Sequence, residues 1–488
     1  MNIIINAFEF SPFAKTGGLA DVTKSLASEF DALGHNVLVV LPKLKTINTT
    51  EYNFKKLDIK LEIQMGFINE YAAVWEGYVP NSKAKVVLIE HNEYYNRDSI
   101  YGSPDEYMDN DRRFIFLSRA VFEVAKALDF TPDIIHAHDY HTAFTLAFLK
   151  SFYKHDPRFS KTAGVFTIHN LAFQGKYNPY RVMDVSTFGM KEFYDGSWFE
   201  KDGVVNCMKV GIMFADKITT VSPNYANEIK MSYYSEGMQD VLNQKSGDLI
   251  GVLNGVYYPD WNPETDLLIA KNYNEKSLET KKINKIHFLQ SYGLRESDNY
   301  DLPLIGMVSR LTEQKGIDII KEKLEYNIEN RGIRFALLGA GQHDYVEFFN
   351  YLKWKYPKNA FINIGYDEAL AHRIFASSDF IIVPSRFEPC GLTQMYALKY
   401  GTIPIVRATG GLVDTVYEYN PESNSGTGFV FQNFHKDDFA YALERALSTY
   451  YNSDHWNNIR LNAMKEDFSS VKQAERYLEV FNWALEKV

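Results

Sequence analysis

The chain has 488 residues, of which 45% are hydrophobic and 23% charged, a composition typical of globular proteins. Two large domains are expected at this length, because single cores stop growing at about 250–300 residues. A net charge of −10 argues against a nucleic-acid-binding protein, which would carry a basic face. The two cysteines, Cys207 and Cys390, exclude a disulfide framework and give no sign of an oxidising compartment.

The chain starts directly with a strand-like run at residues 2–5. No basic segment followed by an apolar one precedes this run, so no signal peptide is predicted. No apolar stretch approaches the length of a membrane span. We therefore expect a soluble, cytoplasmic protein.

Short β-branched runs alternate with longer helical patterns through the first half of the chain. This alternation predicts a parallel sheet with helices on both faces. The predicted strands cover residues 3–6, 37–41, 86–89, 134–136, 165–168 and 217–221, and the predicted helices cover residues 21–33, 111–128 and 143–153.

A segment rich in proline, asparagine and aspartate, residues 254–268, predicts a linker, and the alternation restarts after it. Apolar residues on one face predict a last helix over 471–487. Together the two halves predict two doubly wound α/β domains, whose ligands would lie at the carboxyl ends of the strands. The predicted strands of the second half cover residues 304–308, 335–338, 360–364, 380–383 and 403–406.

The motif Thr-Gly-Gly-Leu-x-Asp occurs twice, at residues 16–21 and 409–414, each time between a strand-like and a helix-like run. Paired glycines allow a ligand to approach the backbone, and a helix N-terminus offers N–H groups to an anion. The two copies predict one ligand bound from both sides. Lys15, directly before the first copy, would add a positive charge suited to phosphate, although a surface lysine beside a tight turn is the alternative.

Arg310 and Lys315 follow the predicted strand 304–308 and precede Gly316. Two cations at a strand-to-helix junction indicate an anion site, with a solvated loop as the alternative. Such charge-assisted hydrogen bonds contribute roughly 1.5–3 kcal/mol each when well formed.

Residues 384–393 connect the predicted strand 380–383 to a helix. Glu388 would bind sugar hydroxyls there, while free N–H groups near Gly391 and Thr393 bind phosphate. The alternative is a carboxylate that only stabilises the helix dipole. Cys390 is expected to be a packing residue and not a nucleophile, because no histidine or aspartate lies near it in the sequence.

His136, His138, Asp139 and His141 form a polar cluster, in which His136 and His138 would share one face of a strand. Hydroxyl binding or core packing is expected, and a metal site is the alternative. His169, followed by Asn170, ends the predicted strand 165–168, where a ligand contact is expected.

These motifs resemble, in the same order, those of the bacterial glycogen synthases and plant starch synthases, and the similarity runs from about residue 1 to about residue 480. Seven ordered motifs are more specific than any one of them. One departure is Tyr140, where tryptophan is frequent in the family; both are large aromatics, so no change of chemistry is expected. The motifs lie at residues 15–22, 138–141, 167–170, 254–255, 309–316, around Glu388, and at 409–412.

The resemblance implies a GT-B fold, with two Rossmann-like doubly wound domains that face a central cleft. Residues 1–255 would form the acceptor-side domain and 256–468 the nucleotide-sugar-binding domain, while 469–488 would form a helix that crosses back to the first. The implied reaction transfers glucose from ADP-glucose, or UDP-glucose, to the non-reducing end of an α-1,4-glucan, with retention at the anomeric carbon. The acceptor would be glycogen or a maltooligosaccharide. Neither a metal nor another cofactor is expected, and neither nucleic acid nor a membrane is an expected partner.

The resemblance also implies roles for single residues. Lys15 and Gly18 would contact phosphate and sugar, Asn254 the sugar, and Tyr366 would stack on the base. The implied catalytic residues are Glu388, His169, Asp139, Lys15, Arg310 and Lys315. The implied substrate-binding residues are Lys15, Gly18, Asp21, Asn170, Asn254, Arg310, Lys315, Tyr366, Cys390, Gly391, Leu392 and Thr393.

Alternative functions from other classes are a glucan phosphorylase and a non-catalytic glucan-binding protein. A phosphorylase would carry pyridoxal phosphate on a lysine, and no lysine of the sequence stands out for it. The full set of cationic and carboxylate groups argues against a purely binding protein. Retention through a covalent intermediate also stays open, although front-face attack is favoured because no carboxylate is an obvious dedicated nucleophile.

Overall fold

A computed structural model describes residues 1–103 and 105–488 of the chain. They form two units, which we call the first unit (Met1–Gly255 with Ser470–Val488) and the second unit (Val256–Ser469). Both have the predicted α/β class, and every predicted strand overlaps an observed one.

The first unit is built on parallel strands whose aliphatic runs are buried on both faces, as expected where helices cover a sheet from both sides. Its strands are β1 (Asn2–Asn6), β2 (Asn36–Pro42), β3 (Lys55–Met65), β4 (Ile68–Tyr78), β5 (Lys85–Glu90), β6 (Ile134–His138), β7 (Ala163–Ile168), β8 (Lys176–Tyr177), β9 (Glu200–Lys201), β10 (Val204–Asn206), β11 (Lys217–Thr220) and β12 (Leu249–Gly251).

Nine of these strands form one sheet in the order β12-β11-β7-β6-β1-β2-β5-β4-β3, and β8, β10 and β9 form a small separate sheet. The strands from β12 to β5 are parallel, whereas β4 and β3 continue the sheet as an antiparallel hairpin. Strand β1 lies between β2 and β6, so the order of the chain reverses beside it. In doubly wound sheets the loops at such a reversal diverge and leave a crevice for a ligand.

The hairpin β3–β4 was not predicted from the sequence. Its outer strand alternates between exposed and buried residues, so only one face is apolar and its sequence lacks the continuous aliphatic run of the central strands. The helices of this part of the chain are α1 (Gly18–Ala32), α2 (Asn92–Tyr95), α3 (Asn110–Ala127), α4 (Phe144–Lys150), α5 (Pro179–Val185), α6 (Cys207–Phe214), α7 (Pro223–Glu228) and α8 (Gln239–Gln244), with 3₁₀ turns at Tyr140–Thr142 and Met190–Glu192.

The second unit contains a six-stranded parallel sheet with the same kind of reversal. Its strands are β13 (Leu304–Val308), β14 (Arg334–Gly339), β15 (Ala360–Ile364), β16 (Phe380–Val383), β17 (Ile403–Arg407) and β18 (Phe429–Phe431). They lie in the order β15-β14-β13-β16-β17-β18, so the reversal falls between β13 and β16. Apolar residues of the strands and covering helices form the core on both faces.

The remaining helices are α9 (Lys281–Ser291), α10 (Ile317–Arg331), α11 (His343–Lys355), α12 (Glu368–Ser377), α13 (Thr393–Lys399), α14 (Gly411–Thr415), α15 (Lys436–Tyr450), α16 (Ser453–Lys465) and α17 (Ser470–Leu485), with 3₁₀ turns at Glu275–Thr280, Glu296–Asp298 and Glu313–Lys315. Helix α17 belongs to the first unit, where it packs on α1 and β7. None of the helices in the described part of the chain combines the length and the apolar character needed to cross a membrane.

The segment predicted as a linker is packed against the second unit. The Trp261 ring stacks on His372 and on Tyr396, with ring centroids 3.8 and 4.0 Å apart. Asp266 accepts hydrogen bonds from the Tyr400 hydroxyl at 2.6 Å and from His372 at 2.8 Å. The prediction of irregular structure is confirmed, but the segment is anchored by buried aromatic and polar contacts.

Candidate functional site

A buried carboxylate holds the first glycine motif in place. Glu9 follows strand β1 and accepts hydrogen bonds from the backbone N–H of Thr16 at 2.6 Å and of Gly17 at 3.3 Å. It also accepts from the Thr16 hydroxyl at 2.7 Å and the Tyr101 hydroxyl at 2.7 Å. Four donors on one buried carboxylate fix the loop as a charged hydrogen-bond network.

Sequence reasoning missed both Glu9 and Tyr101. The signal for Glu9 was present, since a carboxylate stands between two aromatic residues, Phe8 and Phe10, directly after a strand. Tyr101 reaches Glu9 from 92 residues further along the chain, and no local pattern marks it.

The first glycine motif is open to solvent at its centre. Helix α1 begins at Gly18, which is exposed, and the N–H groups of a first helical turn have no partner within the helix. A Cβ added at Gly17 would meet no atom within 4 Å. Lys15 and Asp21, both predicted site residues, form an ion pair at 2.8 Å beside this helix end. The loop therefore places a cation, a carboxylate and backbone donors at one end of the sheet.

Asp139 directly follows strand β6, which lies next to β1 at the reversal of the strand order. Its φ of +56° lies in the left-handed region, which non-glycine residues rarely adopt and which often marks functional positions. Its carboxylate accepts the backbone N–H of His169 at 2.7 Å. Burial raises the pKa of Asp139 to about 7, and hydrogen bonds from the N–H groups of His169 and Asn170 oppose that rise.

The histidines of the cluster are bonded within the first unit. The Nδ1 of His138 lies 2.9 Å from the Nε2 of His169, and the Nε2 of His136 lies 2.6 Å from the Thr167 hydroxyl. Burial lowers the pKa of His169, His141 and His136 to about 3, so these rings are neutral near pH 7. His169 can therefore contact a ligand by hydrogen bonding but not as a cation.

The predicted common face of His136 and His138 is confirmed, with ring centroids 4.0 Å apart. The His136 ring packs on Tyr477 of helix α17, 5.0 Å away, which makes it a core residue. In the described ranges 1–103 and 105–488, ligand atoms of three or more His, Cys, Asp or Glu side chains converge only at the exposed His343, Asp344 and Glu347. The histidine cluster thus has the contacts of packing and hydrogen bonding.

Two further predicted residues lie at the same end of the sheet. Asn170 is half-buried, and its side-chain oxygen accepts the backbone N–H of Ala172 at 3.1 Å. Asn254 is buried, and its backbone N–H donates to the carbonyl of Val221, which directly follows β11.

In the second unit an ion pair joins the loops that follow β13 and β16. The Nζ of Lys315 lies 2.6 Å from the Oε2 of Glu388, which also accepts the Ser385 hydroxyl at 2.8 Å. The two loops interlock further through Gln314, whose side chain donates to the Phe387 carbonyl at 3.1 Å. The predicted cation and carboxylate therefore lie together at the reversal of the second sheet.

Gly316 is required where these loops meet. Its φ is +71°, and an added Cβ would lie 2.0 Å from the carbonyl oxygen of Pro384. A residue with a side chain would combine backbone strain with a clash against a backbone atom that cannot rotate away.

Arg310 and Tyr366 are the exposed members of the predicted set. Arg310 follows β13, and none of the described residues pairs with its guanidinium. An exposed arginine on the loop that also carries Lys315 is well suited to bind an anion. The Tyr366 ring is 74% exposed, and its hydroxyl donates to Glu368 at 3.1 Å, which leaves ring surface for stacking.

The remaining predicted residues form the turn between Glu388 and helix α13. Cys390 is buried and its carbonyl accepts the side-chain N–H of Gln394 at 3.1 Å. Gly391 has a φ of +75°, Leu392 precedes the helix and Thr393 is its first residue, all three half-buried. The turn places N–H groups at a helix start a few residues after the Glu388 carboxylate.

Residues 409–412 of the second glycine motif are buried, so the structure does not show the open glycine loop that the sequence predicted there. The N–H of Gly411 donates to the carbonyl of Glu388 at 3.1 Å and to that of Pro389 at 3.2 Å. A Cβ at Gly410 would lie 1.8 Å from the Glu388 carbonyl oxygen, and one at Gly411 would lie 2.4 Å from that of Cys390. These glycines allow the backbone of residues 410–411 to contact the backbone of residues 388–390. The motif therefore supports the turn that carries Glu388.

Comparison with known proteins assigns both units to glycosyltransferase families. The starch synthase catalytic domain matches residues 2–244, and glycosyl transferases group 1 matches residues 295–465. Glycogen synthase 1 of Geobacter sulfurreducens is 42% identical over 491 aligned residues, covering 100% of this chain and 97% of that protein. Glycogen synthase of Bacillus subtilis is 40% identical, covering 99% and 98%. The solved catalytic domain of starch synthase IV from Arabidopsis thaliana, bound to ADP and acarbose, matches with a TM-score of 0.91 at 32% identity over 99% of each chain.

Proposed function

This chain belongs to the glycogen synthase and starch synthase family of glycosyltransferases, and we propose that it transfers glucose from ADP-glucose to the non-reducing end of an α-1,4-glucan with retention. The observation that carries the proposal is similarity to glycogen synthases over the whole chain, together with the ion-paired loops at the reversal of the second sheet. The proposal includes a cytoplasmic location and chemistry without a metal.

The physical problem is the departure of a nucleoside diphosphate from an anomeric carbon. Negative charge grows on the leaving oxygen, and fixed cations can stabilise it without reorganising at the moment of reaction. Arg310 would bind the diphosphate directly, since its guanidinium has no partner among the described residues. Lys315, held 2.6 Å from Glu388, would bind it as a second, positioned cation.

Glu388 and the turn that follows it would bind the donor sugar and phosphate. The carboxylate is buried and oriented by Lys315 and Ser385, so it is preorganised to accept hydrogen bonds from sugar hydroxyls. The N–H groups near Gly391, Leu392 and Thr393 lie at a helix start, where phosphate oxygens are favoured. Buried Cys390 would pack beneath this turn.

The first unit would supply the groups around the reacting carbon and the acceptor. Lys15, Gly18 and Asp21 lie at the start of helix α1, where cation, backbone donors and carboxylate can bind phosphate and sugar oxygens. His169 and Asp139 would line the reaction centre, with His169 as a neutral hydrogen-bonding group. Asn170 and Asn254 would contact the sugar.

We favour retention by front-face attack, in which the departing phosphate assists the acceptor hydroxyl. A covalent route needs a carboxylate nucleophile. Asp139 is held by the N–H of His169, and Glu388 by Lys315 and Ser385, so both carboxylates are engaged in positioning contacts. Both could still stabilise positive charge that develops on the sugar ring.

The donor base would stack on Tyr366, which offers an exposed ring to either adenine or uracil. Aromatic stacking alone discriminates weakly between bases, because every base presents a π-face. ADP-glucose is proposed because bacterial members of the family typically use it and because the related starch synthase IV structure holds ADP.

The direct test measures the transfer of radiolabelled glucose from ADP-glucose and from UDP-glucose into glycogen by the purified full chain. We expect labelled polymer with both donors at high concentration and a kcat/KM at least tenfold higher with ADP-glucose, a preference of about 1.4 kcal/mol. Digestion of the product by an enzyme specific for α-1,4 bonds at non-reducing ends should release the label.

Three outcomes would contradict this proposal. Preference for UDP-glucose would refute the assigned donor but leave the reaction. Label that resists the α-1,4-specific digestion would refute the assigned linkage. Binding of glycogen without transfer from either donor would favour a non-catalytic glucan-binding protein.

A further inference from the structure

Helix α17 places one amide side chain against the end of the first unit's sheet. Gln473 is buried, and its Oε1 accepts the backbone N–H of Gly255 at 3.0 Å. Its Nε2 donates to the Oδ1 of Asn254, also at 3.0 Å. Two hydrogen bonds thus join Gln473 to the adjacent residues Asn254 and Gly255, which lie about 219 residues earlier in the chain. We call this pair of bonds the clip.

The chemistry of the clip fixes the orientation of both amides. A backbone N–H can only donate, so the atom of Gln473 that faces Gly255 must be its oxygen. The other atom, Nε2, is a donor, so the atom of Asn254 that faces it must be the oxygen Oδ1. The backbone N–H of Gly255 thus fixes the orientation of Gln473 and, through it, the orientation of Asn254.

This orientation leaves the Nδ2 of Asn254 directed away from Gln473. The Asn254 residue is 6% exposed. None of the residues in 1–103 and 105–488 accepts a hydrogen bond from its Nδ2. An amide donor without a protein acceptor can donate to the oxygen of a ligand or of water.

We propose that Gln473 is a positioning residue for donor binding, which holds Asn254 so that its Nδ2 donates to an acceptor oxygen of the donor's sugar. This inference rests on the proposed function, since it needs Asn254 to contact the donor. It assigns a role in the active site to helix α17, which carries none of the residues expected from the sequence to bind substrate. Gln473 itself would touch neither donor nor acceptor.

The substitution Gln473→Glu separates positioning from packing. Glutamate keeps the size of the side chain and one oxygen for the Gly255 N–H. Its second oxygen would face the Oδ1 of Asn254, so the Asn254 amide would have to turn its Nδ2 inward. The group offered to the sugar then changes from a donor to an acceptor, so the sugar oxygen that accepted from Nδ2 loses that hydrogen bond.

The substitution Gln473→Met is the matched control. Methionine has a similar volume but makes neither hydrogen bond, so Asn254 may take either orientation and can still offer its donor. We expect Gln473→Glu to raise the KM for the nucleotide-sugar donor about tenfold and Gln473→Met to raise it about threefold or less. Neither variant should change the KM for glycogen.

The test is a double-mutant cycle in the full-length protein, with donor KM, kcat and the midpoint of thermal unfolding measured for each variant. In an Asn254→Ala background, Gln473→Glu should change the donor KM less than twofold, because Gln473 affects donor binding through the Asn254 amide, which this background lacks. The midpoint of unfolding reports any loss of packing separately from the donor KM.

Equal increases of donor KM by Gln473→Glu in both backgrounds would overturn the inference, and so would an unchanged donor KM with Asn254 present. A larger effect of Gln473→Met than of Gln473→Glu would assign Gln473 to packing alone. Lack of glucose transfer by the unmodified protein would instead count against the proposed function, which keeps the two failures distinct.

Discussion

The two copies of Thr-Gly-Gly-Leu have the same letters and opposite environments. In the first copy, residues 16–19, Gly18 is exposed, and the loop is held from one side by the Glu9 carboxylate. In the second copy, residues 409–412, all four residues are buried and the glycines touch the backbone around Glu388. Glycine permits close approach to the backbone in both copies. In the first copy the space beside Gly17 is open, whereas in the second copy a backbone carbonyl lies against Gly410.

The difference follows from where each loop leaves its sheet. The first copy follows β1, which borders the reversal of strand order, so its loop lies at the crevice where doubly wound sheets bind ligands. The second copy follows β17, one strand removed from the reversal between β13 and β16. Its glycines lie against the backbone of the loop that follows β16.

If the second copy only supports the Glu388 turn, the side-chain cations Arg310 and Lys315 must supply most of the charge that binds an anion in the second unit. Arg310→Ala and Lys315→Ala are therefore each expected to lower kcat about 10²–10³-fold, as removal of one donor to a developing charge does. Arg310→Ala should leave thermal stability unchanged because the side chain is exposed. Steady-state kinetics with ADP-glucose and glycogen would measure both.

The control is Arg331→Ala, which removes an exposed arginine of the second unit that pairs with Glu444. It should keep activity within about twofold, since exposed ion pairs contribute little. Near-normal turnover in both Arg310→Ala and Lys315→Ala would contradict the anion-binding role of these two cations.

The contrast between the copies can be tested with one methyl group in each. Gly410→Ala is expected to lower the free energy of unfolding by about 3 kcal/mol, because it combines a φ of +48° with a Cβ 1.8 Å from the Glu388 oxygen. Gly17→Ala should change stability by less than about 0.5 kcal/mol, since its backbone is extended and its Cβ would meet no atom within 4 Å.

Chemical denaturation of both variants beside the parent protein measures this contrast. Equal stability of the two variants would show that the second motif tolerates a side chain, and the supporting role assigned to it would be wrong. Activity of Gly410→Ala should fall together with stability, because the Glu388 turn must shift to make room.

The sequence predicted the strands well because central parallel strands are uninterrupted aliphatic runs, as at residues 304–308 and 380–383. It missed the hairpin β3–β4, whose outward face is polar, and the three-residue strands β12 and β18, which are too short to show a period. These omissions do not disturb the site, because they lie away from both reversals of strand order.

The site was predictable where its residues are near in sequence, as with Glu388 and the turn that begins helix α13. The ion pair between Lys315 and Glu388 was not predicted, although their loops follow strands that are neighbours in the sheet. Contacts between distant segments, such as Tyr101 on Glu9 and Gln473 on Asn254, have no local signal. The sequence predicted the same ligand-binding role for both glycine motifs. The six-residue pattern does not show where the preceding strand lies in its sheet, and that position differs between β1 and β17.

The first glycine motif is held by the Glu9 carboxylate, and a substitution of Glu9 should therefore disturb that motif but not the second one. Glu9→Gln keeps the shape of the side chain but replaces one acceptor oxygen with an NH₂ group that faces N–H donors. We expect kcat/KM for the donor to fall about 10–30-fold, the equivalent of roughly 1.5–2 kcal/mol for a hydrogen bond to a charged group.

The matched variant is Glu29→Gln in helix α1, which changes another buried carboxylate of the first unit that is bonded to Ser470. It should leave the donor kcat/KM within about twofold, because in the described part of the chain the Glu29 side chain bonds to Ser470 and not to the glycine loop. A donor kcat/KM for Glu9→Gln that equals that of Glu29→Gln would contradict the role of Glu9 in ordering the loop.

The carboxylates beside the two loops differ in their partners, and the difference predicts a pH dependence that Asp139 contributes. Glu388 has Lys315 at 2.6 Å, whereas the described hydrogen-bond partners of the Asp139 carboxylate are backbone N–H groups, and burial raises the pKa of Asp139 to about 7. Between pH 5 and pH 6 the folded protein therefore keeps a proton on Asp139 that the unfolded chain has released. The free energy of unfolding should fall by about 1.4 kcal/mol over that interval because of this group, and the loss should end above pH 7.

Asp139→Asn keeps an oxygen for the His169 N–H but cannot titrate. Between pH 5 and pH 6 the free energy of unfolding of this variant should therefore lack the fall of about 1.4 kcal/mol that Asp139 contributes. Parallel stability profiles of the two proteins across pH 5–7, measured by chemical denaturation, would show that Asp139 is already ionised in the folded state.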